Sequence, residues 1–203
     1  INDSIFIQAS TSEIYGDPIN HPQSEDYFGN VNTMGVRSCY DEGKRIAETL
    51  CYEFRSKFNV QSRVIRIFNT YGPRMDKNDG RVISNFLVNV ISKSPLIIYG
   101  SGNQTRSFCY IDDLISGIIK SMSIDFKKPI NLGNDKEISL NNLVKLINEI
   151  FGDNKVNYKE SLADDPKVRR PDISRAKEIL DWSPRISLAD GLVKTHKYFK
   201  SIN

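Results

Sequence analysis

The chain predicts an α/β fold built on an open, mainly parallel sheet. Short apolar runs alternate with longer stretches of helical period along its 203 residues. The first two runs end in small hydroxyl or turn-forming residues, Ser10-Thr11-Ser12 and Asn69-Thr70-Tyr71-Gly72-Pro73. Ligands of open α/β sheets are met beyond such carboxyl ends of strands. The composition, 39% hydrophobic and 26% charged, is that of a packed globular protein.

Taken in order, residues 4–9 (SIFIQA) read as a buried parallel strand. Residues 17–34 are rich in Pro, Asn, Gly and Asp and read as a long loop, a candidate lid over a substrate. A helix carrying Tyr40 then runs to about residue 58, and 60–68 form a second strand. Apolar spacing predicts a helix over 82–92, followed by a strand at 96–99 that Gly100-Ser101-Gly102 stops. Arg106 lies in a short stretch, 105–110, and Asp112 is the expected N-cap of a helix through Met122. A strand is predicted at 129–132. Ser139 caps a strongly amphipathic helix that Gly152 ends. After a strand at 156–159 and a charged loop over 164–172, helices at 173–180 and 188–199 close the chain.

Tyr40 and Lys44 are the centre of the functional reading. Residues four apart share a helix face, and continuing this one gives Ala47, Cys51, Phe54 and Phe58, a stripe expected to be buried. A free phenol is a poor base at neutral pH, but a neighbouring ammonium favours the phenolate. Tyr40 could then accept a proton from a substrate hydroxyl. In a chain with nine tyrosines the spacing alone is weak, so its context must carry the assignment.

Composition excludes several other classes. No apolar run is long enough to span a bilayer. Cys39, Cys51 and Cys109 are an odd number at unrelated spacings, which argues against a disulfide framework or a metal site and fits a reducing cytoplasm. Net charge is +3 with no basic block, so no nucleic-acid partner is expected. No G-x-G-x-x-G occurs among the twelve glycines, although a dinucleotide fold opens on such a turn. The expectation is therefore a C-terminal portion of a longer protein, binding NAD weakly or not at all by itself. His21 and His196 are read as structural.

Ser10-Thr11-Ser12-Glu13-x-Tyr15-Gly16, Tyr40-x-x-x-Lys44 and Arg66-Ile67-Phe68-Asn69-Thr70-Tyr71-Gly72-Pro73 stand in the order of the extended short-chain dehydrogenases/reductases that act on nucleotide sugars. His21-Pro22-Gln23-Ser24-Glu25, Asn78-Asp79-Gly80-Arg81-Val82, Tyr99-Gly100-Ser101-Gly102-x-Gln104-Thr105-Arg106 and Arg170-Pro171-Asp172 most resemble the UDP-glucuronate decarboxylase branch. The resemblance implies part of a Rossmann-like doubly wound sheet with its catalytic helix over 1–75. A small α/β substrate domain follows, mainly over 76–203, with the chain crossing back to the sheet around 108–135.

It also implies NAD as cofactor, a UDP-sugar as substrate and a homodimer packed through the Tyr40 helix and its successor, with Glu48, Tyr52 and Arg55 near the partner. Tyr40 would be the base, with Lys44 also holding the nicotinamide ribose and Thr11 bonding the C4 oxygen. Glu13 either assists a proton at C5 or orients the carboxylate. Arg169 would face that carboxylate, and Arg106 would clamp the diphosphate. Thr70 and Arg81 fall on the cofactor side, and Ser12, Asn69, Asn85, Tyr99 and Gln104 on the substrate side. Ser12-Glu13 replaces the Asp-Glu pair of 4,6-dehydratases, so the acid that expels a hydroxyl is absent. A 4-epimerase, a 4,6-dehydratase and a catalytically silent binding module are the alternatives.

Overall fold

The computed structural model describes residues 4–160 and 168–202. The first strand, β1 (Phe6–Thr11), leads into one turn of 3-10 helix, Ser12–Tyr15, and later into the long helix α1 (Ser38–Phe58). β2 (Ser62–Ile67) returns parallel to β1, pairing Phe6 with Ser62 and Thr11 with Ile67. β3 (Thr70–Tyr71), α2 (Val82–Ser92), β4 (Leu96–Tyr99), β5 (Thr105–Ser107), β6 (Cys109–Tyr110) and α3 (Ile111–Met122) follow. β7 (Ile130–Leu132) adds to the far side of β2, giving the parallel order β1-β2-β7. β8 (Glu137–Ser139), α4 (Leu140–Phe151), β9 (Val156–Lys159), α5 (Ser174–Leu180) and α6 (Leu188–Ser201) complete the chain. Smaller pairs are β3 with β6 and β4 with β9, both parallel, and β5 with β8, antiparallel.

Two large apolar cores result, and a third, small cluster joins Ile14, Tyr15 and Phe68. One lies against the three-stranded sheet and gathers Ile65, Leu114, Ile130, Leu132, Ala176 and Trp182. The other packs α2, α4 and α6 on β4, with Ile83, Phe86, Leu96, Leu143, Ile147 and Phe199 at its centre. The sequence predicts the four-residue stops and starts of the second core well: α2, β4 and β9 fall on the predicted bounds, and Ser139 caps α4 by accepting from the Asn142 amide at 3.2 Å.

Four expectations are corrected. β1 begins and ends later than predicted, because Ser10 and Thr11 continue the ladder with Arg66 and Ile67, and it is not uniformly buried: Phe6 is half-exposed. The α1 stripe is buried only at Cys51, while Phe54 and Phe58 face outward. Arg55 closes that end of the helix instead, donating to the carbonyls of Ser62 and Phe126 at 2.9 and 3.0 Å. Asp112 does not cap α3, which follows directly from β6 and starts at Ile111. Its neighbour Asp113 accepts from the Ile186 amide at 2.9 Å, and both acids complement the positive end of the helix. The 17–34 loop is pinned at several points and is no free flap. Gln23 pairs with Arg170 and Asp172 through backbone bonds of 2.9 and 2.8 Å, and His21 meets Glu137 at 2.9 Å. Residues 164–167 of the predicted charged loop lie outside the described residues.

α6 approaches the sheet linkage so closely that only glycine fits at residue 191. A Cβ there would lie 2.0 Å from the Tyr71 hydroxyl and 2.9 Å from the Tyr110 ring. Gly191→Ala is expected to destabilise the protein by about 1–3 kcal/mol through overpacking. Urea denaturation measures this, and an unchanged midpoint would contradict the packing.

Candidate active site

The carboxyl ends of β1 and β2 open into a cleft of about 1280 Å³, with α1 forming its other wall. Thr11, Ser12 and Glu13 line it from the β1 end, Tyr40 and Lys44 from α1, and Asn69, Thr70 and Arg81 from beyond β2. A second, narrower pocket of about 330 Å³ joins it. Asn85, Tyr99, Gln104 and Arg106 line that pocket, and Arg37, Asn69, Thr70 and Arg81 belong to both. Twelve residues singled out from the sequence thus fall into two connected cavities.

Each is held by local bonds. Tyr40 is half-exposed, with the Lys44 ammonium 5.8 Å from its ring centroid. Lys44 is fixed by donating to the Ala9 carbonyl at 2.8 Å, so α1 is tied to the strand that ends in Thr11. The Thr11 hydroxyl accepts from the Glu13 amide at 3.3 Å, capping the short turn and facing Glu13 toward the cleft. Arg81 donates to Asp79 at 2.6 Å and to the Thr70 carbonyl at 3.0 Å. Asn85 donates to the Gly80 carbonyl at 2.9 Å, and Gln104 to the Tyr99 carbonyl at 2.6 Å.

Arg169, the remaining predicted residue, is placed differently. Its side chain is only 7% exposed and does not line the cleft. It donates to the Glu13 carboxylate and, at 3.2 Å, to the Gly16 carbonyl. Glu13 therefore stands between Arg169 and the cavity. The other oxygen of Glu13 meets Arg37 at 3.2 Å. Asp41 is buried beside these groups, with one oxygen lacking any hydrogen-bond partner among the described residues. Burial, aided by the negative charge of Glu13, pushes its carboxyl up from the usual range.

Below the cleft runs a buried polar network. Glu48 accepts from Ser10 and from Arg66, the latter at 2.8 and 3.1 Å. Arg66 also donates to the Tyr15 hydroxyl at 2.9 Å, and Tyr15 donates to Asn131 at 2.8 Å. Burial pushes the Tyr15 phenol up to about 12 despite the Arg66 charge beside it, so it stays neutral. Asn131 completes the chain by donating to Glu25 at 2.9 Å through its amide. Within the chain Glu48 bonds Arg66 and Arg55 bonds Asp125, while Tyr52 is exposed. His196 packs on Phe151 with ring centroids 4.4 Å apart, as a structural residue would.

Sequence reasoning missed Arg37, Asp41, Glu48 and Arg66 as parts of the site. Helical spacing could have found the first, since Arg37 lies one turn before Tyr40 and its carbonyl accepts from the Tyr40 and Asp41 amides at 3.0 and 3.1 Å.

The model for the GDP-mannose 4,6 dehydratase family matches residues 1–195, and the chain belongs to that family. It is 49% identical over 196 residues to UDP-glucuronic acid decarboxylase 1 of Xenopus tropicalis, covering 96% of this chain and 47% of that protein. It is 50% identical over 197 residues to UDP-glucuronic acid decarboxylase 1 of Arabidopsis thaliana, covering 97% of this chain and 45% of that protein. The chain spans about half the length of these curated relatives. Among solved structures it resembles the UDP-glucuronic acid 4-epimerase of Bacillus cereus in complex with UDP-glucuronic acid and NAD, at a TM-score of 0.88 and 30% identity, covering 100% of this chain and 63% of that one. The UDP-glucose 4-epimerase of Thermotoga maritima gives 0.90 and 29%, covering 98% and 64%. The fold is the Rossmann-like α/β fold of these enzymes.

Asp41 generates a pH-dependent prediction. Its folded carboxyl binds a proton more tightly than the unfolded one, so it supports folding fully only below the ordinary aspartate range. That support is lost as pH rises through the raised value. Asp41→Asn is expected to raise stability at pH 7, with the gain shrinking as pH falls toward 4. Urea denaturation at the two pH values tests this, and a gain that is independent of pH would refute it.

Proposed function

We propose that the chain carries the catalytic half of an NAD-dependent UDP-glucuronate decarboxylase that makes UDP-xylose through a 4-keto sugar. The observation that carries the reading is the convergence of Tyr40, Lys44, Thr11 and Glu13 on one cleft that opens into the Asn85–Arg106 pocket. Identity of 49–50% to two UDP-glucuronic acid decarboxylases supports it.

The open cleft beside Lys44, Thr70 and Arg81 has room and hydrogen-bonding groups for the nicotinamide end of the cofactor, which fits NAD there. When bound, NAD accepts a hydride from the sugar and later returns it. The protein's own residues do the rest. Tyr40 takes the proton of the C4 hydroxyl, and Lys44 supplies positive charge beside the phenol. Thr11 bonds the C4 oxygen. Once C4 is a carbonyl, the C6 carboxylate is that of a β-keto acid, and carbon dioxide leaves as its electrons pass into the carbonyl. Glu13 then stands on the strand-end wall to manage the proton at C5. Arg106 clamps the diphosphate in the narrower pocket, where a planar fork of donors suits it. Asn69, Asn85, Tyr99, Gln104 and Ser12 hold the remainder of the UDP-sugar.

A 4-epimerase is the second reading, because the chain resembles solved epimerase structures at 29–30% identity. Ser12-Glu13, with no acid at residue 12, speaks against a dehydratase. Product analysis separates them. The full-length polypeptide with UDP-glucuronate and NAD is expected to release carbon dioxide and give UDP-xylose by mass spectrometry. Tyr40→Phe should cut turnover about 10²–10⁴-fold. UDP-galacturonate as the product would move the protein to the epimerases.

We further propose a cytoplasmic homodimer. Leu50, Tyr52, Phe54 and Phe58 leave an exposed apolar face on α1, and surfaces of that kind mark association sites. Light scattering of the full-length polypeptide is expected to give twice the monomer mass, and Tyr52→Glu with Phe54→Glu should shift it to monomer. A wild-type monomer would end this proposal.

A further inference from the structure

We propose that Glu137 is a positioning residue for Arg169: its carboxylate clamps the segment before α5 onto the β5–β8 ladder and so fixes Arg169 beside Glu13. The inference rests on the function proposed above, and adds to it a residue that lines neither cavity.

Residues 169–172 belong to no helix or ladder, and Pro171 makes only an isolated bridge with Gln23. A side chain on such a segment is only as well placed as the contacts that hold its backbone. Two sets of contacts hold this one. From the 17–34 loop, fully buried Gln23 shares backbone bonds with Arg170 and Asp172 at 2.9 and 2.8 Å. Its side-chain carbonyl also accepts from the Arg170 amide at 2.9 Å. From β5, the Ser107 hydroxyl donates to the Arg169 carbonyl at 3.3 Å. Glu137, at the start of β8, touches both sets. One of its oxygens accepts from Thr105 of β5 at 2.7 Å. The other meets His21 of the loop at 2.9 Å and Arg170 of the segment at 3.5 Å.

Exposed ion pairs contribute little, but Glu137 is mostly buried, at 17% exposure. Burial works against its charge, yet the bonds from Thr105 and His21 and the charge of Arg170 hold the carboxyl below the usual range. It is an anion at neutral pH, and its loss takes the shared acceptor from Thr105, His21 and Arg170 together. The β5–β8 ladder keeps its backbone bonds without that side chain, and Arg106 keeps its register with Ile138. The part released is the segment that bears Arg169. From there Arg169 reaches the Glu13 carboxylate and the Gly16 carbonyl. Glu137 therefore acts on turnover at the Glu13 end of the cleft, and not on the pocket around Arg106.

The test is a double-mutant cycle on the full-length polypeptide with NAD, following UDP-glucuronate turnover by mass spectrometry. Glu137→Gln is expected to lower kcat about 10–100-fold, the cost of a misplaced group at the chemistry. KM should stay nearly unchanged, because Arg106 keeps its place. In an Arg169→Gln background the same substitution should cost kcat nothing further. A purely structural role lowers kcat equally in both backgrounds, and that result would overturn the assignment. So would an unchanged kcat, or a KM that rises as kcat falls. Should Glu137→Gln fail to fold by urea denaturation, His21→Gln combined with Arg170→Gln breaks the same tie from its other end. That pair must reproduce the pattern, and its failure to do so overturns the assignment equally. UDP-galacturonate as the wild-type product would overturn the functional reading alone, and the cycle then reads that turnover. A wild-type protein with no turnover would overturn both.

Discussion

The structure depends on the ion pair between Arg66 and Glu48. Both side chains are nearly buried, at 10% and 15% exposure. Taking such charges out of water costs several kcal/mol per ion, recovered only if the geometry satisfies the remaining donors and acceptors. Here it does. Arg66 reaches Glu48 twice, the Tyr15 hydroxyl and the Glu25 carbonyl, while Glu48 also receives Ser10. Those contacts join α1, β1, β2, the turn after β1 and the 17–34 loop at one point. Glu48 lies one turn beyond Lys44, and Ser10 immediately precedes Thr11. The pair that sets the helix against the strand therefore also sets the distance between Tyr40 and Thr11. A hydrophobic replacement could be as stable, but it would not fix that register so sharply.

The mouth of the cleft is organised on a different principle. The groups of the lower network are buried and bonded to one another, whereas the upper cluster of Arg37, Glu13, Arg169 and Asp41 is left unbalanced. Glu13 is shared between a buried and an exposed arginine, and one oxygen of Asp41 has no partner among the described residues. An unpaired buried oxygen costs about 1–3 kcal/mol, and strain of this kind gathers at functional sites. The contrast separates residues bound into the scaffold from those left partly unpaired at the cleft, although both groups are made of the same side-chain types.

Much of this was legible in the sequence. Helical period and capping gave α2 and α4 with their ends, since Ser139, Gly152 and the apolar spacing all agree. The strand ends at Thr11 and Asn69 located the cleft, because ligand sites follow strand termini whatever the loops do. What the sequence hid depends on distance along the chain. Glu48 and Arg66 are 18 residues apart, Tyr15 and Asn131 are 116 apart, and Glu13 and Arg169 are 156 apart. No periodicity relates such pairs. The failed stripe on α1 has a local cause: Phe54 and Phe58 obey helical spacing but stay exposed, Phe54 in an open groove with Phe6 and Leu50, while Arg55 bonds the Ser62 and Phe126 carbonyls. Spacing reports which residues share a face, and only tertiary contacts decide whether that face is covered.

The two cavities explain why the chain is built on two cores. The sheet core fixes Thr11, Tyr40 and Lys44, while the α2–α4–α6 core fixes Asn85, Tyr99 and Arg106. Asn69, Thr70 and Arg81 are the only shared walls apart from Arg37. Thr70 and Tyr71 form β3, whose pairing with β6 is a parallel link between the two regions. Arg81 returns to the Thr70 carbonyl from the start of α2. The spacing between the two cavities is thus set by one short strand and one arginine. Orientation of this kind is where much of a catalytic advantage originates. Each cavity is thus walled by one core, and the residues common to both sit on the link between them.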